Sequence, residues 1–243
     1  MRTISIDGMS FPVIERRGEG EVPLLLINGM RMQQGAYTRL RENLDSPTVS
    51  FDFPLLWRPS FQWVSSPMGD IANVLLRLIT ELGYERVDVL GVSWGGALAI
   101  EFASLYPNQV RKLVLVSSTS RPFRHLTKPT SLLAYLKGDY GGKFRRELAI
   151  FSDAESSVGK SHIFTDLYRG WALPRWVGEG RLSSIQHPTL IVSGHDDIIT
   201  PPEEARWLQR IPNSRLELID DGHLAVYSSA AEVAGFINPF LSE

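Results

Sequence analysis

The chain has 243 residues, 43% hydrophobic and 21% charged, with a formal net charge of −2 and no cysteine. That length suits one large α/β domain, or one domain carrying an insertion. The small net charge leaves no electrostatic footprint for nucleic acid or an anionic membrane, and the lack of cysteine excludes disulfides, thiolate metal sites and cysteine nucleophiles.

Residues 3–6 and 11–16 read as strands joined at Asp7-Gly8, a favoured hairpin dipeptide, and predict an antiparallel edge pair. Leu24-Leu25-Leu26-Ile27 is a continuous apolar run, the pattern of a strand covered on both faces, and it ends in Asn28-Gly29-Met30. A helical stretch from about 35 to 43 leads to a short strand over 49–53. Residues 54–67 are irregular and aromatic, with Trp57, Phe61 and Trp63. Apolar residues at 71, 74, 75, 78, 79 and 82 predict a helix over 70–82 that Gly83 stops.

The strand-like run Val87-Asp88-Val89-Leu90 passes into Gly91-Val92-Ser93-Trp94-Gly95, followed at once by an Ala- and Leu-rich helical pattern over about 96–105. Leu113-Val114-Leu115-Val116 is another buried strand. From 121 to 184 the pattern changes: no four-residue buried-strand run occurs, and helical patches alternate with a Gly-rich stretch at 138–142. The segment is rich in aromatics, with Phe123, Tyr135, Tyr140, Phe144 and Phe151 in its first part and Phe164, Tyr168, Trp171 and Trp176 in its last. It predicts a helical cap, 121–184, inserted into an α/β core formed by 1–120 and 185–243. The core resumes with strands over 189–192 and 216–219, a helix over 202–209 between them, and a final helix over 230–241. Strands alternating with helices imply a mostly parallel, doubly wound sheet.

Gly91-x-Ser93-x-Gly95 between strand and helix is the pattern of a nucleophile elbow. A turn sharp enough to expose the Ser93 hydroxyl strains the serine backbone, and side chains two residues either side would meet the crossing strand and helix. By composition the motif arises by chance in roughly one chain of this size in ten, so its weight comes from the strand before it and the helix after it. A serine hydroxyl is a poor nucleophile near neutral pH and needs a base, which in turn needs an orienting carboxylate. Asp196-Asp197 and Asp220-Asp221-Gly222-His223 each follow a predicted strand, which puts them on the same carboxyl edge of the sheet as Ser93. Ser93, then Asp197, then His223 is the chain order of an α/β-hydrolase triad. The loop after the early strand is the expected source of one oxyanion donor, so the main-chain N–H groups of Met30 and Trp94 are the candidate pair. Of the remaining histidines, His125 and His162 lie in the predicted cap, His187 precedes a proline at a strand entry and His195 lacks any partner at metal-ligand spacing, and neither a metal nor a cofactor is expected.

The chain resembles the α/β-hydrolase superfamily from Leu24 to Leu241. More narrowly, Gly91-Val92-Ser93-Trp94-Gly95-Gly96-Ala97-Leu98-Ala99, Tyr140-Gly141-Gly142-Lys143-Phe144-Arg145-Arg146, Pro188-Thr189-Leu190, Arg210-Ile211-Pro212-Asn213 and Ile219-Asp220-Asp221-Gly222-His223-Leu224 resemble the intracellular depolymerases of medium-chain-length polyhydroxyalkanoates. The resemblance implies Ser93 as nucleophile, Asp197 rather than Asp196 as acid, and His223 as base. Two departures stand out. Leu55-Leu56-Trp57-Arg58-Pro59-Ser60 replaces a usual glycine-rich loop, and Asn28 replaces the usual histidine before the oxyanion glycine.

The expected function is a serine hydrolase acting on carboxylic esters, with a small-molecule or oligomeric hydrophobic ester as partner and medium-chain (3-hydroxy)acyl groups favoured. A ligand receptor, or a cofactor-independent lyase built on the same fold, are the alternatives from other classes. Residues 1–7 lack the apolar core of a signal peptide and no apolar run approaches the roughly 18 residues of a membrane span, so a cytoplasmic location is expected.

Overall fold

In the computed structural model, residues 1–30, 32–57, 66–121 and 163–243 are described. Asp7 and Gly8 lie at φ 51° and 72°. Such a pair of left-handed residues makes the two-residue turn whose twist matches two antiparallel strands, and here it joins β1 (Arg2–Ile6) to β2 (Met9–Arg16). The hairpin is the edge of an eight-stranded sheet. Strands β3 (Leu24–Ile27), β4 (Thr48–Phe51), β5 (Val87–Val92), β6 (Val110–Val116), β7 (Thr189–Gly194) and β8 (Ser214–Ile219) complete it in the order β1-β2-β4-β3-β5-β6-β7-β8. All pairings beyond β2–β4 are parallel.

The unbroken apolar runs follow from helices on both faces. Leu25, Ile27, Val89 and Leu115 face one buried cluster and Leu24, Leu26, Leu90 and Val114 the other, as the two-residue period of a strand requires. The first cluster is covered by α2 (Pro67–Glu81) and α3 (Trp94–Leu105). The second is covered by α1 (Thr38–Asn43), which continues a 3₁₀ turn over Gln34–Tyr37. Residues 163–184 contain α4 (Ile163–Ala172) and short 3₁₀ turns; Ala172, Leu173, Trp176 and Leu182 join the α2/α3 cluster. The first part of the predicted cap, 122–162, lies outside the described residues. Beyond it come α5 (Pro202–Leu208), α6 (Ala225–Ser228) and α7 (Ala230–Ser242), with α6 and α7 on the second face. Among the described residues no helix is long and apolar enough to cross a membrane.

Helix α2 begins at Pro67, three residues before the start at 70 that its apolar periodicity predicts. Ser66 caps it by accepting a hydrogen bond from the Gly69 N–H at 3.0 Å, and Pro67 occupies the first turn, where no donor is needed. An aromatic row then ties the hairpin to the site side of the sheet: Phe11 and Phe51 lie 6.4 Å apart, Phe51 and Phe53 5.1 Å, and Phe53 and Trp94 5.8 Å. Phe51 is fully buried in this row. Phe51→Ala is expected to lower unfolding stability by about 3–5 kcal/mol in urea melts with an unchanged m-value; a loss under about 1 kcal/mol would contradict the packing described.

Candidate active site

Ser93 stands between β5 and α3 at φ 54° and ψ −117°, a conformation that L residues hold only when surrounding packing imposes it. The packing is close. A Cβ on Gly91 would fall 2.3 Å from Gly95 O, and one on Gly95 would fall 2.2 Å from Ile27 O. Gly91 thus admits the start of α3 against β5, and Gly95 lets that helix pass the end of β3. The Ser93 N–H donates to Val116 O at 3.0 Å and Ser93 O accepts from the Gly96 N–H at 3.0 Å, which ties the turn to β6 and to the first helical turn.

At the open end of the turn, Ser93 Oγ lies 2.9 Å from Nε2 of His223. His223 follows β8 and is 7% exposed. Its loop is held by Asp221, whose carboxylate accepts from the Gly222 N–H at 2.6 Å and from the hydroxyls of Ser228 and Ser229 at 2.5 and 2.6 Å. Asp221 O also accepts from the Asp196 N–H at 3.0 Å, so the loops after β7 and β8 are fastened together.

The other imidazole nitrogen, Nδ1, lies 2.9 Å from Asp197 Oδ2 and 3.0 Å from Oδ1. Asp197 is 2% exposed, whereas Asp196 beside it faces solvent. Asp197 accepts from the N–H groups of Ile199 and Thr200 at 2.9 and 2.8 Å and from the Thr200 hydroxyl at 2.8 Å. Burial works to raise its pKa, but the His223 ring and the Thr200 bonds outweigh it and hold the carboxyl below the usual carboxylate value. Asp197 is therefore ionised throughout the range in which imidazoles titrate. The Thr200 hydroxyl also lies 3.2 Å from His223 Nδ1. Sequence reasoning missed Thr200, although Asp-x-x-Thr after a strand is the pattern of a side chain accepting from N–H groups two and three residues on.

The Asn28-Gly29-Met30 loop runs against this turn, with a Cβ on Gly29 placed 3.4 Å from Ser93 Cβ and 3.2 Å from Val92 O. Asn28 is buried and donates from Nδ2 to Phe51 O at 2.8 Å. Trp94 is the first residue of α3, so its N–H has no acceptor within the helix. Of the other histidines, His195 is exposed and His187 is half-buried, where burial lowers its pKa; His125 and His162 lie outside the described residues. Among the described residues no three His, Asp or Glu side chains are grouped as metal ligands. Of the aromatics in the predicted cap, Trp176 is buried and donates to Glu101 Oε2 at 2.8 Å, and Tyr168 stacks on Trp57 at 5.7 Å. Phe164 and Trp171 are exposed, and the five before them lie outside the described residues.

Residues 24–236 match the sequence model of the alpha/beta hydrolase family. A poly(3-hydroxyalkanoate) depolymerase of Ectopseudomonas oleovorans is 32% identical over an alignment covering 100% of this chain and 92% of the relative. A 2-hydroxy-6-oxononadienedioate/2-hydroxy-6-oxononatrienedioate hydrolase of Pseudomonas putida is 27% identical, covering 92% and 89%. Among solved structures, the enol-lactonase from Burkholderia xenovorans LB400 matches with a TM-score of 0.79 at 16% identity over 100% of both chains. A thermophilic esterase from Thermogutta terrifontis matches with a TM-score of 0.76 at 22% identity, covering 99% of this chain and 96% of its own. The structural likenesses agree on fold, and the family model spans the elbow, the two aspartate loops and His223. This chain belongs to the α/β-hydrolase family.

Proposed function

We propose that the protein is a serine hydrolase of carboxylic esters in which Ser93 is the nucleophile, His223 the general base and Asp197 the acid. The observation that carries the reading is the unbroken line from Ser93 Oγ through His223 to Asp197, at 2.9 Å on each side of the imidazole. His223 Nε2 takes the hydroxyl proton as Oγ bonds to the acyl carbon, and the carbonyl oxygen becomes an oxyanion facing the main-chain N–H groups of Met30 and Trp94. When the tetrahedral adduct collapses, His223 returns the proton to the leaving alkoxide and the acyl-enzyme remains. Water then repeats the sequence through His223 and releases the acid. The buried carboxylate of Asp197 keeps the imidazole proton on Nδ1, so that Nε2 is free to accept.

Asp197→Asn is expected to lower kcat on the order of 10⁴-fold, because an amide at that position favours the wrong imidazole tautomer. Asp196→Asn, on an exposed residue, should stay within about threefold of wild type. Steady-state kinetics on a nitrophenyl ester decide between them, and a larger loss at Asp196 would overturn the assignment of the acid.

Hydrophobic medium-chain acyl groups, 3-hydroxyacyl groups among them, are the proposed substrate class. Apolar side chains support it: Leu55 and Leu56 are exposed beside α4, whose Thr165 hydroxyl donates to Pro54 O at 2.5 Å, and Phe164, Leu167 and Trp171 lie exposed along α4 itself. The 32% identity to a poly(3-hydroxyalkanoate) depolymerase points the same way. Each methylene taken up by an apolar wall is worth about 0.8 kcal/mol. Across a nitrophenyl ester panel, kcat/KM is expected to rise from acetate to a maximum at about six to ten carbons, with gains of about 10- to 200-fold. A monotonic fall from acetate to octanoate would remove the medium-chain assignment.

A further inference from the structure

Arg169, on α4, is 2% exposed, and its charge is buried behind the loop that passes Ser93. One guanidinium nitrogen donates to Asn28 O at 2.7 Å and to Gly29 O at 2.8 Å, while the other donates to Asp166 Oδ1 at 2.9 Å. The plane is enclosed by aromatic faces, 4.4 Å from the Phe53 ring centroid and 4.1 Å from that of Trp94. Trp94 Nε1 in turn donates to Arg169 O at 3.2 Å. Burial pushes the Arg169 pKa down to about 10, against the pull of Asp166, so the group remains a cation at any pH suited to ester hydrolysis. A buried cation is costly unless its donors find good acceptors. Here the acceptors are Asp166 and the carbonyls of the two successive peptides, Asn28–Gly29 and Gly29–Met30, that lead to Met30.

We propose that Arg169 is a positioning residue for the oxyanion site: by holding the Asn28 and Gly29 carbonyls it turns the Met30 N–H toward the acyl oxygen on Ser93, an assignment that rests on the hydrolase reading above. The geometry follows from the peptide unit. C=O and N–H point to opposite sides of a trans peptide, so a Gly29 carbonyl fixed on Arg169 aims the Met30 N–H the other way. Gly29 itself passes 3.4 Å, Cβ position to Cβ, from Ser93. A cation on the carbonyl also polarises the peptide and strengthens its N–H as a donor. Through the Trp94 indole and its bond to Arg169 O, the same residue ties down the helix start that carries the second donor. Preorganised donors of this kind act where charge develops in the transition state rather than in ground-state binding.

The test is the split between transition-state and ground-state effects in Arg169→Lys and Trp94→Phe. Lysine keeps the charge but lacks the planar fork that holds the two carbonyls with one nitrogen and Asp166 with the other. For Arg169→Lys, kcat on a hexanoate ester should fall about 10- to 100-fold with KM within about threefold. The Ki of a trifluoromethyl ketone bearing the same chain, which binds as a tetrahedral oxyanion, should rise by the same factor as kcat falls. The Ki of the matching methyl ketone should barely move. Trp94→Phe, which removes the N–H together with part of the ring and keeps an aromatic face, should show the same pattern at about two- to tenfold. Should Arg169→Lys lack a cooperative melt, Trp94→Phe decides alone. Folded variants whose kcat and trifluoromethyl ketone Ki stay within about twofold of wild type, or that weaken both ketones equally, overturn the positioning role. A wild-type protein that hydrolyses no ester fails the hydrolase reading instead, and the positioning role falls with it.

Discussion

The backbone at Ser93 is the constraint on which the rest depends. A serine at φ 54° and ψ −117° is strained, and it stays there because β5, α3 and the end of β3 are pressed together with no room for a side chain at Gly91 or Gly95. The strain is held by burial on both faces of the sheet and by main-chain bonds to Val116 and Gly96. With the turn fixed, the ends of β7 and β8 come to the same edge, where a Cβ on Gly194 would fall 2.1 Å from Asp221 O. That contact sets the two polar loops at the separation that the Asp197–His223 pair spans.

Much of this was legible in the chain. The parallel strands announce themselves as continuous apolar runs because both faces are covered, and the elbow and polar loops are local patterns whose order along the chain orders them in space. Boundaries were less legible. Helix α2 starts at Pro67 rather than at the first apolar repeat because Ser66 and Pro67 set it, and β7 runs on to Gly194 because the pairing with β8 extends past its apolar run. Thr200 had a local signature that motif reading did not use.

Arg169 had none. On a helix, Asp166 and Arg169 three residues apart look like an ordinary solvated ion pair. Its burial arises from tertiary packing between α4 and a loop about 140 residues earlier, with Phe53 and Trp94 supplying the walls. Periodicity carries no such information. The same holds for Glu101 on α3, whose carboxylate receives Trp176 Nε1 at 2.8 Å and Arg181 at 3.0 Å and so fastens the segment after α4 to the helix that begins at the serine. The bonds from Arg169 to the Asn28 and Gly29 carbonyls and the Arg181–Glu101 ion pair thus connect residues 163–184 to the elbow, the first beside the proposed oxyanion donors and the second further along α3.

The central claim is that Ser93 is the activated nucleophile, and covalent trapping tests it most directly. Treated with a fluorophosphonate, the wild-type protein should gain one phosphonyl group per chain, located by mass spectrometry in the tryptic peptide 87–111. Ser93→Ala should remain unlabelled, and His223→Ala should react on the order of 10³-fold more slowly for want of a base. Labelling that persists in a folded Ser93→Ala variant, or that maps to another peptide in wild type, would contradict the account.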